Sequence, residues 1–380
     1  MELPGFEVRL IDQFKGHGLF ATKQFKTGET IFEEIPLVCC QFAWNKEYGY
    51  KACDHCLRPL ESALENVQRL ASKVVDLPYT DQCPTDKTKH TECADCGAQY
   101  CSSRCQEVAI QQYHKILCYT KDHPLNNLVE TWKQIHYPPE TANIMLLARI
   151  IAIVEQAEDK DLAFNTFMRF CHKSRNEDEE IIHRLLGDQF VQQLELLRNL
   201  LAASLPTNRT NEWLTPEGFC SLLALVGTNG QGVGTSVFSC WVKNVSKMNM
   251  SEDERKILNH LIETMYEEME EVVGVFLNNE GSALYRLQSC ANHSCEPNAM
   301  PHFLHNDFTL SMIANRDIQE GEEITISYLD ECVLERSRHT RNKILREHYL
   351  FSCYCIKCES QTEDLDVTSE DEPDDDEESN

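Results

Sequence analysis

The chain has 380 residues, of which 42% are hydrophobic and 26% charged, a balance that is ordinary for a folded protein with two or three domains. Its formal net charge of -27 at pH 7 argues against direct binding of nucleic acid, whose phosphates need basic side chains, and favours cationic protein partners. The first ten residues, MELPGFEVRL, lack the features of a secretory leader, and the longest apolar stretch is too short to cross a membrane. We expect a monomeric protein of the cytoplasm, with the nucleus as a second compatible location.

The N-terminal part, residues 5–50, is predicted to form short β-strands. The motifs KGHG at 15–18 and KTGE at 26–29 interrupt its apolar residues, and glycine permits the positive φ angles of tight turns. Residues 51–120 are rich in Cys and His and have no long apolar periods, which is typical of a module folded around metal ions. Residues 121–210 then show apolar residues three and four apart, most clearly in IMLLARIIAIV and in the stretch EEIIHRLLGDQFVQQLELLRNLLAASL. This spacing predicts a helical insertion.

Residues 211–335 are predicted to combine a long helix with further strands. The helix begins at Ser251, where SEDE provides a capping box, and its spacing places Ile257 and Leu258 in the core. The segments ALYRLQ, PHFLH, FTLSMIA and EEITISYL that follow have the composition of strands. Because strands at both ends of the chain need partners, we expect them to pair with each other.

The last two segments differ sharply from each other in composition. Residues 336–360 carry the cysteine-rich motif CYCIKC, whereas residues 361–380 are acidic, with eleven acids and no Lys or Arg from Glu363 onward. Such a tail cannot bury enough apolar surface to fold, so we expect it to be disordered.

Eight metal ligands are predicted in the module at 51–120. Zinc prefers four tetrahedral thiolate or imidazole ligands, and a gap of two residues lets one turn present two sulfurs to the same ion. Spacing alone does not fix how the eight pair, but by analogy with interleaved zinc modules we assign Cys53, Cys56, Cys101 and Cys105 to one ion and Cys93, Cys96, His114 and Cys118 to the other. Closed shells of four indicate structural rather than catalytic zinc. Buried free thiols are the alternative interpretation, and Cys83, His55 and His90 are further candidates that would replace one of these ligands.

A third cluster is predicted near the end of the chain, where Cys353, Cys355 and Cys358 supply three sulfurs and need a fourth ligand. Cys295, within the motif NHSCEPN, completes the set if the fold brings it there. Another cysteine such as Cys332 is the alternative. With Cys295 as a ligand, the C-terminal segment would be clamped over NHSCEPN.

Four motifs in this order, KGHGLFA, NHSCEPN, GEEITISYLD and CYCIKC, resemble the SET domain of protein lysine methyltransferases. The zinc module between them resembles a MYND finger, so the chain is similar to the SET-and-MYND family over residues 5–358. The stretches IHYPPETANIM and ALVGTNGQG are most similar to the member of that family with an acidic tail. The resemblance implies an α+β fold with SET-domain β-sheets, a knot-like C-terminal crossing, an inserted MYND-type zinc module, a helical insertion and a post-SET zinc site.

The resemblance also implies a site for S-adenosylmethionine beside a channel for the substrate lysine. Tyr328 is implied as the catalytic residue and Tyr349 as a wall of the channel. Contacts to the cofactor are implied for Lys15, Gly16, His17, Gly18, Asn229, Asn292, His293, Tyr328 and Phe351. Taken singly, these residues would indicate hairpin turns, turn caps and core aromatics. Their joint match to the motifs favours the site.

The implied function is a protein-lysine N-methyltransferase that acts on basic proteins, namely histones and ribosomal proteins. The lysine amine, with an ordinary pKa of about 10.4, must lose its proton before transfer. Desolvation in an aromatic channel and the nearby sulfonium charge would both lower this pKa. The substrate cleft would be more open than in most family members, because their helical C-terminal domain has no counterpart after Cys358.

Two hypotheses from other classes stay open. In the first, a non-catalytic adaptor binds a partner peptide through its MYND-like module and basic proteins through its acidic tail. In the second, the chain is an acidic chaperone of basic proteins. Tyr328 and NHSC favour the enzyme, since an adaptor has no need of them. The long gap from Cys56 to Cys93 puts the peptide-binding surface of the module in doubt.

Overall fold

The fold is described from a computed structural model, which covers residues 5–12, 15–120, 122–135, 143–176, 181–182 and 191–364. Part of the stretch predicted as a helix before residue 205, and most of the acidic tail, lie outside the described residues.

Fourteen strands are present in the described part of the chain, several of them only two residues long. They are β1 Phe6–Asp12, β2 Gly16–Ala21, β3 Thr30–Glu34, β4 Val38–Gln41, β5 Thr91–Glu92, β6 Gln99–Tyr100, β7 Arg175–Asn176, β8 Ile181–Ile182, β9 Gln231–Thr235, β10 Asn279–Leu284, β11 Asn292–His293, β12 Ala299–His302, β13 Leu310–Ala314 and β14 Glu323–Ile326.

The α-helices lie mainly in the middle of the chain. Those described are α1 Ala63–Leu70, α2 Ser103–Ala109, α3 Lys115–Leu117, α4 Pro124–Ile135, α5 Ile144–Gln156, α6 Lys160–Phe167, α7 Val191–Ser204, α8 Pro216–Asn229, α9 Val237–Val245, α10 Glu252–Val273, α11 Glu331–Leu334, α12 Arg338–Tyr349 and α13 Ile356–Ser360. None of the described helices is long and apolar enough to cross a membrane.

Strands from the two ends of the chain pair, as the sequence predicts. The largest sheet has the order β1-β2-β14-β11, in which β2 and β14 are antiparallel and β11 runs parallel to β14. Asn292 is opposite Thr325, and His293 is opposite Ile326. This register places NHSCEPN beside the strand that leads into SYLD. Two three-stranded sheets, β4-β10-β9 and β12-β13-β3, pack on the same apolar core.

The cysteine-rich module is fixed to the helical insertion through a buried arginine. Arg149 on α5 is 6% exposed, and its Nη1 donates to the carbonyls of Cys39 at 2.8 Å and Asp54 at 2.7 Å. Its Nη2 donates to both carboxylate oxygens of Asp54, and its guanidinium lies 4.1 Å from the ring centre of Tyr113. The guanidinium can be buried here because Nη1 and Nη2 are paired with these oxygens and its charge faces the Asp54 carboxylate, although the buried Nε has no hydrogen-bond partner. The arginine thereby joins β4, the module and α5.

Three details of the predicted elements are wrong. Ile181 and Ile182 form a strand that pairs with β7 where the sequence predicts a helix, because so short a run does not define a helical period and β-branched residues suit a strand. The strand predicted through ALYRLQ ends at Leu284. On α10 the capping box at Ser251 is present, but Ile257 is 72% exposed, while Leu258, Met265 and Met269 are buried.

Candidate functional site

Tyr328, just after β14, is held by the segment around β11. Its hydroxyl donates to the carbonyl of Ala291 at 2.8 Å, and its main-chain N–H donates to Nδ1 of His293 at 3.0 Å. Burial raises the pKa of Tyr328 well above its ordinary value, so the phenol stays protonated. Because the Tyr328 hydroxyl donates its proton to the Ala291 carbonyl, its oxygen can act only as an acceptor for a further hydrogen bond, such as one from an amine.

Two more aromatic side chains lie beside Tyr328. The rings of Tyr328 and Tyr349 are 4.8 Å apart, and the Tyr349 hydroxyl donates to the carbonyl of Tyr328 at 3.2 Å. Phe351 lies 6.2 Å from the rings of both Tyr328 and His293. Burial raises the pKa of Tyr349 to about 12. The three side chains form a half-buried, uncharged wall, to which Tyr349 and Phe351 contribute from the end of α12 and just beyond it, and Tyr328 from the segment after β14.

The turn into β2 lies on the other side of Asn292. The Asn292 amide donates to the carbonyl of His17 at 3.2 Å and to the carboxylate of Glu323 at 2.8 Å. Gly16 has a φ of +70°, and the position of a Cβ there is open space, whereas a Cβ at Gly18 would clash with a side chain of β1. Gly16 starts β2 and does not break the strand. The structure thus brings the glycine turn, NHSC and SYLD together, with Lys15 and His17 exposed at the turn.

Asn229 is less closely connected to the other predicted residues. It ends α8, and its amide donates to the carbonyls of Cys171 at 2.7 Å and Leu225 at 2.8 Å. A contact of Asn229 with a cofactor stays a prediction.

These residues fit the chemistry of S-adenosylmethionine. The open main chain at Gly16 leaves room for a ligand to approach closely, the Asn292 amide and nearby carbonyls suit a polar amino-acid moiety, and the face of Phe351 suits an adenine ring. Asn292 contacts the main chain of His17, next to Gly16, and the ring of its neighbour His293 lies 6.2 Å from that of Phe351.

The fourth sulfur of the C-terminal cluster comes from Cys295. Cys295, Cys353, Cys355 and Cys358 have their Sγ atoms within 4.8 Å of one another, whereas Cys332 lies exposed outside this group. Hydrogen bonds with Cys353, His293 and Arg341 lower the pKa of Cys295 to about 3 despite its burial. Thiolate is the form that binds metal.

The eight ligands predicted in the module also gather into two groups of four. The groups are Cys53, Cys56, Cys101 and Cys105, and Cys93, Cys96, His114 and Cys118. We call these the module clusters, and the group that contains Cys295 the C-terminal cluster. His55 and His90 belong to neither group, and Cys83 lies against α9.

The spacing of the sulfurs suits zinc. Tetrahedral thiolates at about 2.3 Å from an ion lie about 3.8 Å from each other. The Sγ atoms are 3.6 Å apart in Cys56 and Cys101, 3.7 Å in Cys93 and Cys118, and 3.6 Å in Cys295 and Cys358. All these cysteines are free of disulfides. Each cluster therefore can hold a zinc ion.

Sequence reasoning missed the side chains that support this site. Arg341 is fully buried, and its Nε and Nη2 lie 3.3 Å and 3.5 Å from the sulfurs of Cys295 and Cys358. Glu323 holds the Asn292 amide, and its position at the start of β14 carries no local signal. Arg149, which anchors the module, did carry a signal in the sequence, because a single arginine within an apolar helix needs a buried partner.

Comparison with known proteins agrees with this geometry. Residues 16–329 match the SET domain. The protein-lysine N-trimethyltransferases SMYD5 of Gallus gallus and of Homo sapiens are each 52% identical to the chain, over 96% of its length and over 89% and 88% of theirs. The histone-lysine N-methyltransferase SMYD3 of Mus musculus is 26% identical over 94% of the chain and 62% of its own length. The chain therefore belongs to the family of SET-domain protein-lysine methyltransferases that includes SMYD5.

Proposed function

We propose that this protein methylates lysine side chains of basic proteins, and that Tyr328 is its catalytic residue. The observation that carries the proposal is the double attachment of Tyr328 to the segment from Ala291 to His293. Bound S-adenosylmethionine supplies an electrophilic methyl group on a sulfonium. Lys15, Gly16, His17, Gly18, Asn292, His293 and Phe351 hold it, with Asn229 as a further contact.

The side chains around Tyr328 prepare the substrate amine. The half-buried rings of Tyr328, Tyr349 and Phe351 exclude water, which disfavours the ammonium form of a lysine placed among them. The neutral Tyr328 hydroxyl accepts a hydrogen bond from the amine and fixes its direction. No carboxylate base is needed, so catalysis rests on alignment and on desolvation.

Substrate choice follows from charge. A chain with a formal charge of -27 attracts cationic proteins before specific contacts form, so histones and ribosomal proteins are the substrate class. The SMYD5 relatives carry the name N-trimethyltransferase, which makes trimethyl-lysine the expected product. Three zinc ions, one in each cluster, serve the structure and take no part in transfer. The protein works in the cytoplasm, and also in the nucleus where it reaches histones.

The test compares Tyr328→Phe with Tyr354→Phe, since Tyr354 is 71% exposed just beyond the site. Purified protein is incubated with labelled S-adenosylmethionine and with core histones or ribosomal proteins. We expect Tyr328→Phe to lower the transfer rate by about 100-fold or more and Tyr354→Phe to leave it unchanged. Mass spectrometry of the product gives the lysine and the number of methyl groups.

Calorimetry separates the enzyme from the adaptor. The enzyme binds S-adenosylmethionine, and Asn292→Ala weakens that binding because the turn at His17 loses its partner. Absence of cofactor binding and of transfer in the intact protein, together with retained binding of histones, would instead establish the adaptor.

A further inference from the structure

A pair of cysteines lies outside the three clusters. Cys83 belongs to the segment between Cys56 and Cys93, which is long for a MYND finger, and Cys240 lies on α9. Both side chains are half-exposed and free of disulfides. The methyl transfer site uses neither of them.

The segment that carries Cys83 is fixed against α9. Nε1 of Trp241, which is fully buried, donates to the carbonyls of Pro78 and Tyr79 at 3.1 Å each. One turn later on α9, Nδ2 of Asn244 donates to the carbonyl of Gln82 at 2.7 Å. These bonds hold the residues just before Cys83 in a defined position on the helix.

The same bonds bring the two thiols together. Sγ of Cys83 lies 3.8 Å from the carbonyl of Val237, one turn before Cys240, and Nδ2 of Asn244 lies 4.0 Å from Sγ of Cys240. Asn244 thus contacts both the residue before Cys83 and the Cys240 thiol, so the two thiols lie along the same stretch of α9.

The surroundings make the two thiols unequal. The neighbouring Cys83 thiol and the positive charges of Lys243, Arg58 and Lys247 lower the pKa of Cys240 to about 6, against the effect of its partial burial. The neighbouring Cys240 sulfur and burial raise the pKa of Cys83. Cys240 is therefore the more nucleophilic thiol at neutral pH, and Cys83 stands beside it as a second thiol.

We infer that Cys83 and Cys240 form a reversible disulfide when the protein reacts with a hydroperoxide, and that this bond joins the segment between Cys56 and Cys93 to α9. In the first step the Cys240 thiolate attacks one peroxide oxygen, the O–O bond breaks, and hydroxide leaves and takes up a proton to give water. In the second step the Cys83 sulfur attacks the resulting sulfenic acid, the S–S bond forms, and a second water leaves. Two thiols and one hydrogen peroxide thus give one disulfide and two waters, with both electrons taken from sulfur.

The experiment treats the zinc-loaded, full-length protein with stoichiometric hydrogen peroxide, blocks the remaining thiols and maps the peptides by mass spectrometry. We expect one dominant crosslink, between the peptides that contain Cys83 and Cys240, which dithiothreitol removes. The oxidised protein should also unfold at a higher temperature than the reduced one, because the crosslink restricts the unfolded chain.

Single variants separate the two roles. In Cys83→Ser, oxidation should stop at a sulfenic acid on Cys240 that dimedone traps, whereas Cys240→Ser should abolish the crosslink and leave Cys83 as a thiol. Cys332→Ser removes an exposed cysteine outside the pair and should form the crosslink as wild type does. If the native, zinc-loaded protein gives no Cys83–Cys240 crosslink while Cys332 is oxidised, or if crosslinks fall at random among its cysteines, the inference is wrong.

Discussion

The module clusters and the C-terminal cluster use similar ligands, but among the described residues only the C-terminal cluster is connected to the segment that holds Tyr328. All eight ligands of the module clusters lie between residues 53 and 118. The C-terminal cluster takes Cys295 from the motif that also contains Asn292 and His293, and the rest from the segment just after Phe351. One of its cysteines thus belongs to the same short motif as two residues of the proposed methyl transfer site.

His293 shows how closely the C-terminal cluster and the site are joined. Its Nε2 lies 3.4 Å from the sulfur of Cys295, and its Nδ1 accepts the main-chain N–H of Tyr328. This arrangement corresponds to a ring that carries its proton on Nε2 and donates it to the thiolate. The C-terminal cluster is therefore joined through one imidazole ring to the main chain of Tyr328, the residue we propose as catalytic.

The largest expected effect is the difference in methyl transfer rate between the variants Cys295→Ser, in the C-terminal cluster, and Cys93→Ser, in a module cluster. Loss of Cys295 frees His293 and the segment that carries Phe351, so we expect methyl transfer to fall by about 100-fold. Loss of Cys93 opens a module cluster and should lower thermal stability while turnover per folded molecule stays near wild type. Steady-state kinetics on histone substrate, with zinc content measured by elemental analysis, gives both numbers.

Each variant should lose one of three zinc ions, which makes the pair a matched control. Circular dichroism confirms that both proteins are folded before rates are compared. Equal losses of turnover in the two variants would show that the C-terminal cluster has no special link to Tyr328.

The next largest effect is expected in the free energy of unfolding, when the arginine that attaches the module is replaced. Arg149→Met leaves Asp54 without its cation and removes the donors to the Cys39 and Asp54 carbonyls, so we expect a loss of about 3 kcal/mol in the free energy of unfolding. The control is Lys26→Met, which breaks the exposed pair with Asp317 and should cost less than about 1 kcal/mol. Urea denaturation measures both, and similar losses would mean that the buried arginine does not anchor the module.

The sequence allowed the metal clusters to be predicted better than their supports. Two cysteines separated by two residues, such as Cys93 and Cys96, predict that both bind the same ion. Three closely spaced cysteines, as from Cys353 to Cys358, predict that a fourth ligand comes from elsewhere in the chain. The grouping found in the structure matches that expectation. Arg341 gave no comparable signal, because a polar helix with a fully buried arginine looks in sequence like an exposed one.

The same contrast holds for the methyl transfer site. The motifs NHSC and SYLD could be recognised by their resemblance to the SET domain because each is continuous in sequence, and the roles of their residues in the site stay predictions. The acceptors that hold them were not, since the Ala291 carbonyl belongs to the main chain and Glu323 meets Asn292 only through pairing of β11 with β14. Long-range strand pairing of this kind produces no periodic pattern in the sequence. For the same reason the sequence wrongly predicts a helix where the short strand β8 pairs with β7.

The smallest expected effect tests the aromatic wall, through Tyr349→Phe. This change removes the hydrogen bond to the Tyr328 carbonyl and keeps the ring, so we expect a loss of about 2- to 10-fold in kcat. The pKa of Tyr349 is raised to about 12, so its hydroxyl is neutral in wild type over the working range of pH, and the variant has no group there that titrates. The rate should therefore rise with pH in wild type and variant alike, as the substrate amine loses its proton, and the two profiles should run parallel from neutral pH to about pH 10. A profile that changes shape in Tyr349→Phe would show instead that Tyr349 exchanges a proton during transfer.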